Sequence, residues 1–122
     1  TVWWDLVERF QGLRRPEGRT GPDWASKIHI ATSPVYYQNY ILGELTASQI
    51  QQHILSKVLQ AGADGGLGSL IGRREVGDFL REQVFRPGRQ WPWQEMLRQA
   101  TGSPLESSHW VEEVSGAAVK VG

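Results

Sequence analysis

Lys27-Ile28-His29 and, eight residues beyond the histidine, Tyr37-Gln38-Asn39-Tyr40 put a fixed cation, a titratable ring and two phenols within one short stretch. If the chain is extended at 27–29, Lys27 and His29 point to one side, because successive strand side chains alternate. Tyr37 and Tyr40 are three apart, the spacing that shares a helix face. A cation beside imidazole and phenol donors suits a bound carboxylate, or a carbonyl oxygen on its way to becoming an oxyanion. Each residue alone has a plainer reading. A tyrosine pair at helical spacing is more often an amphipathic core contact, a lone histidine a hydrogen-bonded one, and a lone lysine a solvated charge. Nothing in the set could act as nucleophile, base and metal site together, so it reads as half of an active site.

The elements that must hold these groups are helical. Trp3, Leu6, Val7 and Phe10 fall at helical spacing, and Leu13 continues the pattern. Residues 14–24 carry prolines and glycines and predict a loop. Residues 25–33, with β-branched Ile28, Ile30 and Thr32 alternating with Lys27 and His29, predict a short extended or irregular link. Ser33-Pro34 has the chemistry of a helix start, with serine as cap and proline in the first turn. From there a long helix is predicted to about Gln60, with Ile41, Leu45, Ile50, Ile54, Leu55 and Val58 as its apolar stripe. Ala61 to Gly68 is a glycine-rich loop, and the missing G-K-[ST] argues against a phosphate loop. A third helix spans roughly 70–85 with Val76, Phe79, Leu80 and Val84 inward, and Pro87-Gly88 ends it. Pro92 opens a short helix carrying Trp93, Met96 and Leu97, and Gly102 closes it. Ser107 or Ser108 caps a last helix with Trp110, Val111 and Val114, and the tail from Ser115 is expected to fray. The expectation is an all-α chain, with residues 1–122 one helical segment.

Composition narrows the function. Thirteen basic residues balance thirteen acidic ones in 122 residues, which argues against a nucleic-acid or anionic-membrane surface built on bulk charge. There is no cysteine, hence no disulfide framework or thiol chemistry. No apolar run is long enough to span a membrane. Six tryptophans are a heavy load for a core of this size, so some are expected on the surface, with self-association as the consequence. The three histidines are His29, His53 and His109, and none begins an H-E-x-x-H. The spacing contains no metal site, and His53 and His109 read as surface or helix-face residues.

Several blocks in order resemble the C-terminal part of zinc peptidyl-dipeptidases of the angiotensin-converting-enzyme type. Trp3-Trp4 then Gln11-Gly12-Leu13 is similar to the family's W-W and Q-G-L, and Lys27-Ile28-His29-Ile30 to its K-F-H-I. Tyr37 to Tyr40 resembles its Y-x-x-Y if one residue is inserted after His29; without the insertion Tyr36 and Asn39 take those places. Phe85-Arg86-Pro87-Gly88 through Trp93, then Ala100-Thr101-Gly102-Ser103-Pro104, resembles the closing P-W segment and T-G-x-P turn. Gly43-Glu44 is similar to a step in related oligopeptidases.

The resemblance implies the C-terminal helical subdomain of a larger, mostly helical gluzincin-type metallopeptidase, whose zinc-binding half lies outside this chain. Zinc would belong to the full-length parent, with none bound by this portion. His29 would donate a hydrogen bond to the substrate backbone and Tyr40 would stabilise the oxyanion. Lys27 would pair with the C-terminal carboxylate of the peptide substrate, helped by Tyr37. The parent would release dipeptides from peptide C-termini, and an exported location is implied. This portion alone would be inactive without the missing N-terminal part. Where chloride-activated members of the family carry arginines, this chain has Val7 and Asn39, so strong chloride activation is not expected. Glu44 is expected to partner a basic group or a helix end. The alternative is a free-standing, non-catalytic helical interaction module derived from the same fold.

Overall fold

The computed structural model describes residues 1–33, 35–61 and 67–119. Among them there are helices and turns and no strand, as an all-α chain requires. The chain divides into two compact units, Thr1–Asn39 and Tyr40–Gly122.

In the first unit, helix α1 (Val2–Gln11) ends at Gly12, whose φ of 68° is left-handed and whose N–H donates to the Glu8 carbonyl at 3.0 Å. Glycine takes this conformation without a Cβ penalty, so the Q-G-L block is a helix stop. The indole of Trp4 donates to Asp23 Oδ2 at 3.2 Å, and Arg19 donates to Oδ1 of the same carboxylate. This carboxylate ties the loop back to α1. A 3-10 turn covers Asp23–Ser26 and packs against the short helix α2 (Ile28–Ala31).

That short helix corrects the extended reading of 25–33. Lys27 is extended, at φ −93° and ψ 111°, and the helix starts at the next residue. The amides of Ile30 and Ala31 donate to the Lys27 carbonyl at 3.0 and 3.2 Å, and Thr32 N–H donates to that of Ile28 at 2.7 Å. With no neighbouring strand to pair with, the backbone satisfies itself by turning, and the local need for hydrogen bonds overrides the β-branched preference.

The long helix also begins later than expected. Val35 has φ 55°, and Gln38 Nε2 donates to the Val35 carbonyl at 2.6 Å while Asn39 N–H donates to that of Tyr36 at 2.9 Å. This turn cannot continue a helix, so Ser33 is not its cap, and Pro34 lies outside the described residues. Helix α3 runs Asn39–His53 and continues as a π-wound segment Ile54–Val58. Leu59 and Ala61 donate back to the carbonyls of Ile54 and Leu55, each at 2.9 Å, across Gln60, which takes φ 50°.

Residues 62–66 of the expected glycine loop lie outside the described residues. A 3-10 turn at Leu67–Leu70 precedes α4 (Arg74–Phe79), which starts a few residues later than predicted and passes into a second π-wound segment, Leu80–Phe85. Helix α4 packs on the π-wound end of α3, and the second π-wound segment packs on α5 (Trp93–Thr101). Pro92 is the cap residue of α5, and Gly102 ends it at φ 84°. Helix α6 (Ser108–Val119), with the Val111 amide donating to Ser107 O, takes in residues 115–119 of the stretch expected to fray, and residues 120–122 lie outside the described residues.

The core of the second unit is Ile54, Leu55, Leu97 and Ala100, with Leu97 fully buried. Ile41, Val111 and Val114 were expected inward and are about half exposed. On α3 the buried positions are instead Ser48 and Gln49.

Candidate functional site: an imidazole between two phenols

The sequence alone suggests Lys27, His29, Tyr37 and Tyr40. The first three lie in the first unit. His29 is half-buried in α2, with its ring 6.3 Å from that of Tyr36 at 16° and 6.1 Å from that of Tyr37 at 46°. Centroid separations in this range are those of interacting aromatic rings. The turn at Val35 folds the two phenols onto the imidazole. Lys27 is exposed at the entry to α2 and makes no ion pair among the described residues. Because the chain turns helical at Ile28, the extended alternation expected to align Lys27 with His29 does not exist.

Tyr37 lies in the turn before α3, so the expected common helix face with Tyr40 is absent as well. Tyr40 occupies the first turn of α3 in the second unit and is half exposed. Glu44, one turn on, is exposed and has no ion pair among the described residues, so the expected basic partner is not seen. Tyr36 is the residue that the one-residue insertion passed over. The ungapped alternative, which puts Tyr36 in the place of Tyr37, was the signal for it.

Gln49 was missed altogether. It is 2% exposed. Its Nε2 lies 3.1 Å from Thr101 Oγ1, 3.1 Å from Ser103 Oγ and 3.0 Å from the Pro104 carbonyl, and its Oε1 accepts from Glu106 N–H at 2.9 Å. One amide thus satisfies the Thr101-Gly102-Ser103-Pro104 turn, which reads here as a docking point for α3. Next to it, Ser48 Oγ donates to Glu113 Oε2 at 2.8 Å and ties α3 to α6.

The other histidines have structural surroundings. His53 stacks on Phe79 with centroids 5.3 Å apart at 28°. Burial holds its pKa below the usual 6.5, against a hydrogen bond to the Thr101 backbone that raises it, and nearby Lys57 adds to the lowering. His109 is half-buried on α6. Among the described residues no group of three or more His, Asp or Glu side chains is placed to hold a metal. Also among the described residues, no helix is long and apolar enough to cross a membrane.

Three clefts lie away from these residues. Two, of about 330 and 340 Å³, share Trp3, Trp4 and Asp23 as lining in the first unit. A third, of about 500 Å³, opens beside Trp91 and Trp93 in the second. None of the three is lined by Lys27, His29, Tyr37 or Tyr40.

Relatives of the chain include a carboxypeptidase and an angiotensin-converting enzyme-like protein. It is 28% identical to thermostable carboxypeptidase 1 of Pyrococcus furiosus, over 92% of this chain and 22% of that protein. It is also 28% identical to an angiotensin-converting enzyme-like protein of Mus musculus, over 82% of this chain and 13% of that protein. The chain thus spans less than a quarter of the length of either relative. No solved structure matches it. The family described as carboxypeptidase Taq (M32) metallopeptidase matches residues 28–117. That match runs through most of the chain, from the helix that carries His29 to the one that carries His109, and by it the chain belongs to this metallopeptidase family.

Proposed function

We propose that this chain is the substrate-gripping C-terminal portion of a zinc-dependent peptidase that acts on peptides with a free C-terminal carboxylate. The observation that carries the reading is the His29 ring in contact range of both Tyr36 and Tyr37, on a short helix whose entry residue is the exposed Lys27. In this reading Lys27 pairs with the substrate carboxylate, Tyr37 helps to hold it, and His29 donates to the substrate backbone. The Tyr40 phenol donates to the oxygen on which charge develops, an interaction whose loss typically costs about 2.7–4 kcal/mol of transition-state stabilisation. Zinc, bound by a part of the polypeptide outside this chain, would supply Lewis acidity. The chain alone would hydrolyse nothing.

Dipeptide release is the finer reading. The family match begins at residue 28. Trp3-Trp4, Gln11-Gly12-Leu13 and Lys27, part of the peptidyl-dipeptidase resemblance, all precede it. The carboxypeptidase name of the family supports the second reading, release of single residues. Val7 is buried in α1, which supports chloride independence, since a buried apolar side chain offers an anion nothing.

The test uses the full-length parent and an N-acylated pentapeptide, with the first product read by mass spectrometry. A dipeptide supports the finer reading, and a single amino acid replaces it with the carboxypeptidase one. Equal cleavage of the C-terminally amidated peptide overturns the carboxylate grip. No cleavage of either overturns the peptidase reading and leaves a helical interaction module. Lys27→Ala is expected to lower kcat/KM on the free acid by about 10- to 150-fold, the range of a hydrogen bond to a charged group. It should change the rate on the amide little.

A further inference from the structure

The second unit carries a cleft that the peptidase reading does not use. It measures about 500 Å³ and is lined by Arg89, Gln90, Trp91, Trp93 and Met96, among others. That volume is in the range of small-molecule sites. Trp91 and Trp93 are 43% and 42% exposed, so each keeps much of an indole available. Pro92 between them is fixed at φ −54° and ψ 150°. A residue before proline is held out of the α region, and the α5 helix fixes Trp93. The backbone that carries the two indoles is therefore constrained, which lowers part of the ordering cost of binding.

The charge at the cleft is unbalanced. Arg73, Arg74, Arg81, Arg86 and Arg98 in this unit each pair with a carboxylate. Arg89, which lines the cleft, has no carboxylate partner among the described residues. A guanidinium, two indoles and a thioether lining one cleft match a flat apolar body carrying a carboxylate. The Gln90 amide adds a donor and an acceptor.

We propose that the Trp91–Trp93 cleft binds an aromatic carboxylate, with its ring against the indoles and its carboxylate on Arg89. Such a group comes either as a free aromatic acid or as the aromatic C-terminal residue of a peptide.

The test follows the indole N–H signals of the whole chain in two-dimensional NMR, assigned with Trp91→Phe and Trp93→Phe. Indole-3-acetate should produce a saturable shift of the Trp91 and Trp93 signals. Indole-3-acetamide, the neutral analogue, and tryptamine, the cation, should bind at least about ten-fold more weakly, as loss of a charge-assisted pair requires. Arg89→Gln should erase the preference for the acid over the amide. Acetyl-Gly-Gly-Phe binding as tightly as indole-3-acetate would assign the site to peptide C-termini; its exclusion would assign it to free acids. Equal affinity for acid and amide overturns the proposal, as does an unchanged preference in Arg89→Gln or the absence of saturation at millimolar indole-3-acetate. The acid–amide comparison needs no variant, so it stands even if a substitution unfolds the chain.

Discussion

The two units distribute chemistry and burial in opposite ways. Residues 1–39 hold Lys27, His29, Tyr36 and Tyr37, yet Val7 is the one buried apolar side chain among their described residues. Residues 40–122 hold Tyr40 alone of the predicted site, but also Leu97, Ile54, Leu55, Ala100 and the fully bonded Gln49. In the proposed reading the groups that grip a substrate stand on the sparsely buried unit, while the second unit is a densely buried helical platform in its own right. Regions that bind or move are drawn from the low-stability end of a protein, and the proposed site would follow that rule along the length of this chain.

The largest expected effect tests whether the platform is energetically separate. Leu97→Ala removes a side chain with no exposure and should cost about 2–5 kcal/mol. Hydrogen exchange should show lost protection in residues 40–119 and none in 1–39. Val7→Ala removes about two methyl groups' worth of burial, roughly 1.5 kcal/mol, with the reverse pattern. If either variant opens both units together, they unfold as one body and the comparison fails.

Gln49→Leu comes next. It leaves the Glu106 amide and the turn's acceptors without their amide partner and should cost about 1–3 kcal/mol, read by urea unfolding. A smaller value would mean that water replaces the amide, and that the platform is looser than its burial implies. Smaller still is Gln60→Gly. A non-glycine residue at φ 50° carries about 1 kcal/mol of strain, so glycine should raise the unfolding midpoint. Val35→Gly, at φ 55°, should do the same for the first unit.

The smallest effect is that of pH. His53 is held below its usual 6.5 by burial, so between that value and its folded pKa the unfolded chain binds more protons. Stability is then complete above 6.5 and falls as pH drops through this window. His53→Phe should flatten that slope, and an unchanged slope would assign it to another group.

Much of the fold was legible in the sequence. The helix stop at Gly102 and the half-buried face of Val76, Phe79, Leu80 and Val84 follow from local rules that tertiary contacts did not override, whereas the pattern expected to continue to Leu13 is cut at Gly12, where the chain turns left-handed. The helix start at 33–34 failed because Val35 adopts a conformation that no propensity scale expects of a β-branched residue. Gln49 was illegible for a different reason: periodicity counts apolar residues, and a buried amide is revealed only by the distant turn that satisfies it. Of the site, the resemblance supplied the residues, whereas their mutual geometry depended on a turn it did not encode. The motifs behind the resemblance have local structural jobs here: Trp4 bonds Asp23, Gly12 stops a helix, and Thr101 to Pro104 receives Gln49.

The π-wound segments begin just after His53 and Phe79, the two residues whose rings stack. A π turn is an α-helix carrying one surplus residue. Deleting Ser56, which is exposed within the first segment, would let that rod rewind as plain α-helix while its ends stay in place. Chain length at these two points is thus loosely coupled to shape, and gaps in alignments to relatives are expected to gather there.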